Sequence, residues 1–214
     1  MLTETPRRVR WPWLAVSLAV LLLPLAACTN KPPEDEKDYV TTIATTRAEK
    51  DALFMKESDP IPQNRKAELL PLAYFPIDPE YHVAAGLTPS QDDTIIPMPT
   101  SSGASRQMRR AGTVAFSLKG RALKLTAFVE VGAPDLNHLF LPFSDLTSGT
   151  ETYPAGRYLD LDRNRTGIYE LDFNRAYHPY CYYNASFECP YPPAENRLPL
   201  PVRAGERLKT GGKK

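Results

Sequence analysis

The chain predicts an α+β fold that is mainly antiparallel β-sheet, a curled sheet or split barrel, with one N-terminal amphipathic helix and a proline-rich C-terminal wrap. Three observations carry this. Residues 123–131 alternate Leu123, Leu125, Ala127, Val129 and Val131 with Lys124, Thr126, Phe128 and Glu130, the two-residue period of a strand with one face in a core. Other short β-prone runs follow one another closely, divided by Gly, Pro and Asp. Residues 171–206 hold five of the eleven tyrosines, two of the three cysteines and six prolines. That segment is too aromatic for a solvated linker and too poor in backbone donors for a helix or central strand.

At the N-terminus, Arg7, Arg8 and Arg10 precede an apolar run, 11–27, that ends in Leu25-Ala26-Ala27-Cys28. A charged start, an apolar stretch and small residues describe a signal peptide. The small pair before cysteine is similar to a bacterial lipobox, in which Cys28 is acylated and becomes the first residue of the mature chain. An ordinary signal peptide and an uncleaved anchor are the rival readings. Arg7-Arg8 suggests twin-arginine export, which Val9, Arg10 and Trp11 fit poorly. Thr29 in place of aspartate favours outer-membrane sorting, facing the periplasm, in a Gram-negative host. The organisation expected is thus a leader over 1–27, a lipidated cysteine and flexible tether over 28–45, one globular domain over 46–206 and a basic flexible tail over 207–214.

Cleavage before Cys28 leaves 187 residues, enough for one domain with a real core. They carry 23 basic and 24 acidic side chains, with no basic stripe outside Arg207, Lys209, Lys213 and Lys214, so nucleic acid is not expected as a partner. Both tryptophans, Trp11 and Trp13, lie in the leader, which excludes a tryptophan platform for sugars.

Thr46 and Glu49 have capping-box spacing ahead of 47–56 (RAEKDALFMK), where Ala48, Ala52 and Met55 form the apolar side of a helix. Ser58, Asp59, Pro60 and Pro62 stop it, and 63–70 adds a further turn or two. Strands are expected at 72–77, 81–85 and 94–98, and the polar stretch 100–110 reads as a loop. Lys119-Gly120-Arg121 is a hairpin turn between 113–118 and 123–131. Strands at 138–143, 157–161 and 168–173 complete the sheet, the last two joined by Asn164-Arg165-Thr166-Gly167.

Cys181 and Cys189 are the only thiols left once Cys28 is acylated, and an exported pair meets oxidising conditions. A bridge would close a nine-residue loop, worth about 2.5 kcal/mol in the chain-entropy model. The rival is a metal site, against which C-x7-C departs from the usual C-x2-C spacing. A third reading is two free buried cysteines.

LAYFPIDPEYHV, LFLPFSDLTSGTETYPAGRYLDLD, LDFNRAYHPYCYYN and FECPYPPAENRLPLPVRAGE together resemble the bacterial domain-of-unknown-function family numbered 1684, over roughly residues 50–206. The resemblance implies a fold and a region of interest but no mechanism. His178 stands where that family is expected to show asparagine, which speaks against a catalytic role for it.

No nucleophile elbow, P-loop or dinucleotide fingerprint is present, and His82, His138 and His178 are scattered. Asp160, Asp162 and Asn164 have the D-x-D-x-N start of a calcium loop, but the glycine falls eighth, at Gly167, and position twelve is Leu171; a hairpin is the better reading. No metal or cofactor is expected. Ligand-binding candidates are Glu151, Tyr153, Arg157, Tyr158, Asp160, Asn174, Tyr177, Tyr180, Glu195, Asn196 and Arg197, since loops mixing carboxylates, arginine, amides and phenols recognise small polar ligands. The alternative is a structural network, with Arg157 and Arg197 paired to Glu151 and Glu195. Glu151, Tyr153, Arg157, Asn174, Tyr177, Glu195 and Asn196 are expected to converge.

Three functions remain open. The first is a lipid-anchored module binding a small polar ligand or an envelope protein. The second is a hydrolase or lyase using Glu151, Asp160 or Glu195 as acid or base. The third is a purely structural envelope lipoprotein. The catalytic residues of the second are unknown, and the want of a catalytic motif favours the first.

Overall fold

A computed structural model describes residues 34–209 apart from residue 93. The expected leader, Cys28 and the end of the tail lie outside these residues. The first element, α1 (Glu34–Lys56), starts well before residue 47 and takes up much of the expected tether. Thr46 caps nothing: its Oγ1 donates back to the Thr42 carbonyl at 3.0 Å, a mid-helix contact. Ala48, Ala52 and Met55 are exposed, and the inward positions are Tyr39, Ile43, Arg47, Lys50 and Phe54. These recur at helical spacing, but three of the five are polar-tipped, so an apolar count misses the face. Arg47 donates to the carbonyls of Phe75 and Asn174, while Ile43 and Phe54 bury their side chains. The short α2 (Lys66–Leu69) follows, as expected for 63–70.

Among the described residues, seven strands form one antiparallel sheet: β1 (His82–Pro89), β2 (Ile95–Pro99), β3 (Ser105–Leu118), β4 (Arg121–Glu130), β5 (His138–Phe143), β6 (Arg157–Asp162) and β7 (Ile168–Asp172). Their order is β6-β5-β4-β3-β1-β7, with β2 beside the first part of β3. The sheet curls into a nearly closed barrel whose unsealed seam lies between β6 and β7. Residues 72–77 form no strand, only a single bridge from Tyr74 to Glu206, because Pro71 and Pro76 withhold donors. Residues 105–110 are strand rather than loop. Ile95 pairs with Arg109 and Met98 with Arg106, and Met108 is buried between half-buried Arg106 and Arg110 on one face, the arginines having given the stretch a loop-like polarity.

The β3–β4 turn has positive φ at both Lys119 and Gly120, the arrangement that matches strand twist in a two-residue hairpin. Register slips between Arg110 and Gly112, where a Cβ at 112 would collide with the Thr88 carbonyl of β1. In β4, Leu125, Ala127 and Val129 face the barrel core as expected, whereas Val131 is exposed. Phe128 is buried on the other face with Met98 and Met108.

After β7 and the single-turn α3 (Tyr180–Tyr183), residues 198–204 run extended with no ladder. Leu198, Leu200, Val202 and Ala204 nonetheless enter the core beside Val114, Leu139, Leu171 and Phe173, and each larger side chain so buried contributes about 1.5–3 kcal/mol. The wrap is held by Arg157, which is 0% exposed. Its Nη2 donates to Asp145 Oδ2 at 2.9 Å and to the Val202 carbonyl at 2.7 Å, and its Nη1 to the carbonyls of Ala204 and Glu206. Asp145 Oδ1 accepts from the Val202 amide at 3.2 Å and the Thr147 amide at 2.7 Å.

Asp145→Ala should strand the Arg157 charge in the core and lower unfolding free energy by about 3–5 kcal/mol. Urea denaturation checks this, and a loss below about 1 kcal/mol would show that the pair does not hold the wrap.

Candidate functional site

The eleven candidates divide into three groups: buried structural residues, residues paired or packed elsewhere, and residues that line a cavity. Arg157, Asn174 and Asn196 are buried structural groups. Asn196 mimics a strand edge: its Oδ1 accepts from the Thr126 amide at 2.7 Å, and its Nδ2 donates to the Thr126 and Pro142 carbonyls. Asn174 does the same for Asp78, accepting from its amide at 3.1 Å and donating to its carbonyl at 2.8 Å. Glu151 pairs with Arg203 and Glu195 with Arg110, in two separate and partly exposed contacts. The expected pairing of these glutamates with Arg157 and Arg197 does not form, because burial commits Arg157 to Asp145 while Arg197 stays exposed beside Ser144. Of the seven residues expected to converge, Tyr177 lines a cavity, while the others are engaged with separate partners. Tyr153 packs on His178 and Tyr182.

Tyr158, Asp160, Tyr177 and Tyr180 do come together, on a cavity of about 570 Å³. β6 presents Tyr158 and Asp160 to it, β5 presents His138 and Phe140, and the starting half of β3 presents Arg106 and Met108. The wrap closes the far wall with Phe187, Glu188, Cys189 and Pro190, and Lys50 reaches in from α1. A bridge between Tyr158 and Tyr177 and a hydrogen bond from the Tyr158 hydroxyl to the Pro190 carbonyl pin the wall to the sheet. Asp160 takes a 2.6 Å hydrogen bond from the Tyr177 hydroxyl and lies 3.1 Å from His138 Nε2. Burial, helped by Asp160, pushes the Tyr177 phenol far up, so it remains a donor. Arg106, Lys50, His138, Phe140 and Phe187 were not singled out as site residues. Arg106 carried the one usable signal, as a basic residue in a period-two stretch next to Met108.

Lys50 joins the cavity to a buried charged cluster. Its ammonium lies 5.0 Å from the Tyr177 ring and 2.6 Å from Glu206 Oε1. The other oxygen of Glu206 accepts from the His178 amide at 2.7 Å and from the Tyr183 hydroxyl. Although burial opposes its charge, the Lys50 ammonium and the Tyr183 hydroxyl hold the Glu206 carboxyl below the usual range. His178 sits 3.6 Å from the same carboxylate, which by itself would favour protonation, yet burial prevails and draws the ring down to about 3. Geometry agrees: Nε2 accepts from the Tyr153 amide at 3.3 Å, a contact a protonated ring would lose. His178 is thus a neutral structural group. Cys181 and Cys189 are adjacent free thiols, with the Cys181 amide donating to Cys189 Sγ at 3.1 Å. Contact with Cys189 lowers the Cys181 thiol and raises its partner.

Fold and cavity define a small antiparallel barrel domain with an aromatic-walled pocket. The chain belongs to the family described as Protein of unknown function (DUF1684), whose model matches residues 68–207. It is similar to an uncharacterized protein of Haloarcula marismortui known from a solution NMR structure. The two are 36% identical with a TM-score of 0.64, over 82% of this chain and 97% of that one. None of the curated proteins matches.

The His178 ring, lowered from 6.5 to about 3, binds its proton more readily in the unfolded chain, so its contribution to stability is full above pH 6.5 and declines as pH falls. Glu206 adds a loss of the same sign at lower pH, beginning as pH drops to its ordinary 4.5. The melting temperature should therefore fall from pH 6.5 to pH 4.5, and His178→Asn should flatten that interval while keeping the steeper loss below it. An unchanged profile in the variant would contradict the assignment.

Proposed function

We propose that this protein is a binding module for a small polar ligand, held in the cavity between β5, β6 and the wrap. The observation that carries the reading is the cavity itself: about 570 Å³, within the range of small-molecule sites, with aromatic walls and a few fixed polar groups. A purely structural role has no use for such a concavity. For hydrolysis or elimination, Glu151 and Glu195 lose support because each is engaged in a surface ion pair. The contact between His138 and Asp160 favours one second reading, in which that pair moves a proton on a bound substrate.

Native purification followed by untargeted mass spectrometry should recover a small molecule in stoichiometric amount. Tyr180→Ala combined with Phe187→Ala should lose it without altering the melting temperature, since neither ring is buried in the core. If the double variant retains the molecule, or none is recovered and no fragment library shifts the cavity resonances, the reading is wrong.

We propose further that the chain is exported and anchored to a membrane through acylated Cys28, facing the periplasm where the host has two membranes. The motif at 25–28 supports this, and among the described residues no helix is long and apolar enough to cross a membrane. On export, Cys181 and Cys189 close by exchange with an incoming disulfide. The pair gives up two protons and two electrons, and the oxidant leaves as two thiols. Intact mass of protein taken from the envelope should show the lipid adduct and the loss of two hydrogens. Cys28→Ser should move the chain to the soluble fraction, whereas two free thiols or unchanged fractionation would refute the corresponding part.

A further inference from the structure

Resting on the reading of the cavity as a ligand site, we infer that its ligand is an organic cation, an amine or quaternary ammonium group seated among aromatic rings. Charge gives the first argument. The lining holds four carboxylates, Glu130, Asp135, Asp160 and Glu188, against two cations, Lys50 and Arg106. Both cations are already satisfied. Arg106 Nη2 donates to the Glu188 carbonyl at 2.8 Å, Nη1 lies 3.3 Å from Glu130, and Nε faces the Glu188 carboxylate at 3.7 Å. Lys50 is held at 2.6 Å by Glu206, which is buried outside the lining. An anion would have to break one of these pairs to be bound, and freeing Lys50 would leave Glu206 uncompensated in the interior. A cation meets a wall with net negative charge and breaks nothing.

The rings give the second argument. Tyr158 stands perpendicular to Phe140, with centroids 4.6 Å apart at 78°, and to Tyr177, 5.7 Å apart at 89°. Tyr180 stands perpendicular to Phe187 at 5.4 Å and 76°. These rings line the cavity at differing orientations, and an aromatic lining of this kind attracts a cation that has no hydrogen-bond donors. The Lys50 ammonium, 5.0 Å from the Tyr177 ring, shows that one of these faces already attracts a cation within the protein. The lining itself points to an organic cation rather than a bare ion, because Phe140, Tyr158, Tyr177, Tyr180 and Phe187 offer it apolar as well as π surface.

The test titrates the non-acylated Cys28→Ser chain by ¹⁵N–¹H NMR with three probes: choline, its neutral carbon isostere 3,3-dimethylbutan-1-ol, and benzoate. Choline should shift amides of the cavity wall around 177–190 and bind about tenfold more tightly than the isostere. Tyr180→Ala and Glu188→Gln, both at accessible positions, should each weaken choline and leave the isostere unaffected or improved. If benzoate or the isostere binds the cavity as tightly as choline, the cation assignment falls while the ligand site stands. Binding by none of the three overturns the site together with its proposed occupant.

Discussion

Arg157 places its donors on one carboxylate and three carbonyls of a segment that has no strand partner, and the whole chain beyond β7 depends on that exchange. Pro199 and Pro201 keep the wrap from joining the sheet as a regular strand, so the carbonyls of Val202, Ala204 and Glu206 would otherwise be buried unpaired. The guanidinium, for its part, is tolerable in the core only because those carbonyls and Asp145 surround it. Each side makes the other possible. That is why the apolar side chains of 198–204 can be sunk into the barrel without the segment joining its sheet as a strand.

Glu206 extends the same logic outward. As the final residue of the wrap it draws together Lys50 of α1, Tyr183 of α3 and the backbone of His178. The short elements at the mouth of the cavity are therefore tied to the core by a charge rather than by their own length. Tyr177 and Tyr180 flank the segment so fixed, and the aromatic wall inherits its stiffness.

The barrel was readable in the chain because β4 obeys a two-residue period, because β5 is a short apolar run, and because turn chemistry at Lys119-Gly120 and Asn164–Gly167 marks where strands reverse. Two elements escaped for one reason: polar tips disguised the inward face. In α1 the inward positions include the half-buried Tyr39, Arg47 and Lys50, and in the first half of β3 the arginines outnumber Met108. The site was half legible. Tyr158, Asp160, Tyr177 and Tyr180 stood out as a dense local cluster. Arg157, Asn174 and Asn196 looked the same in sequence, yet they serve the backbone of remote segments; Asn196, for example, is bonded to Thr126 across 70 positions. Local composition cannot separate a polar group that faces a cavity from one that replaces a missing strand neighbour. Lys50 and His138 had no local signal at all, since the topology alone brings them to β6.

Consider finally the outer side of β2. Tyr191 donates to the Pro99 carbonyl at 2.8 Å from the side away from β3, so Ile95, Pro97 and Pro99, which alternate along the strand, all turn their backbone polar groups outward. Two of those three have no N–H to offer. A stray strand from another molecule approaching this edge would find carbonyls but a single donor, too few to extend the sheet. Proline spacing here blunts the outer side of β2, one of the margins that the curl of the sheet leaves open.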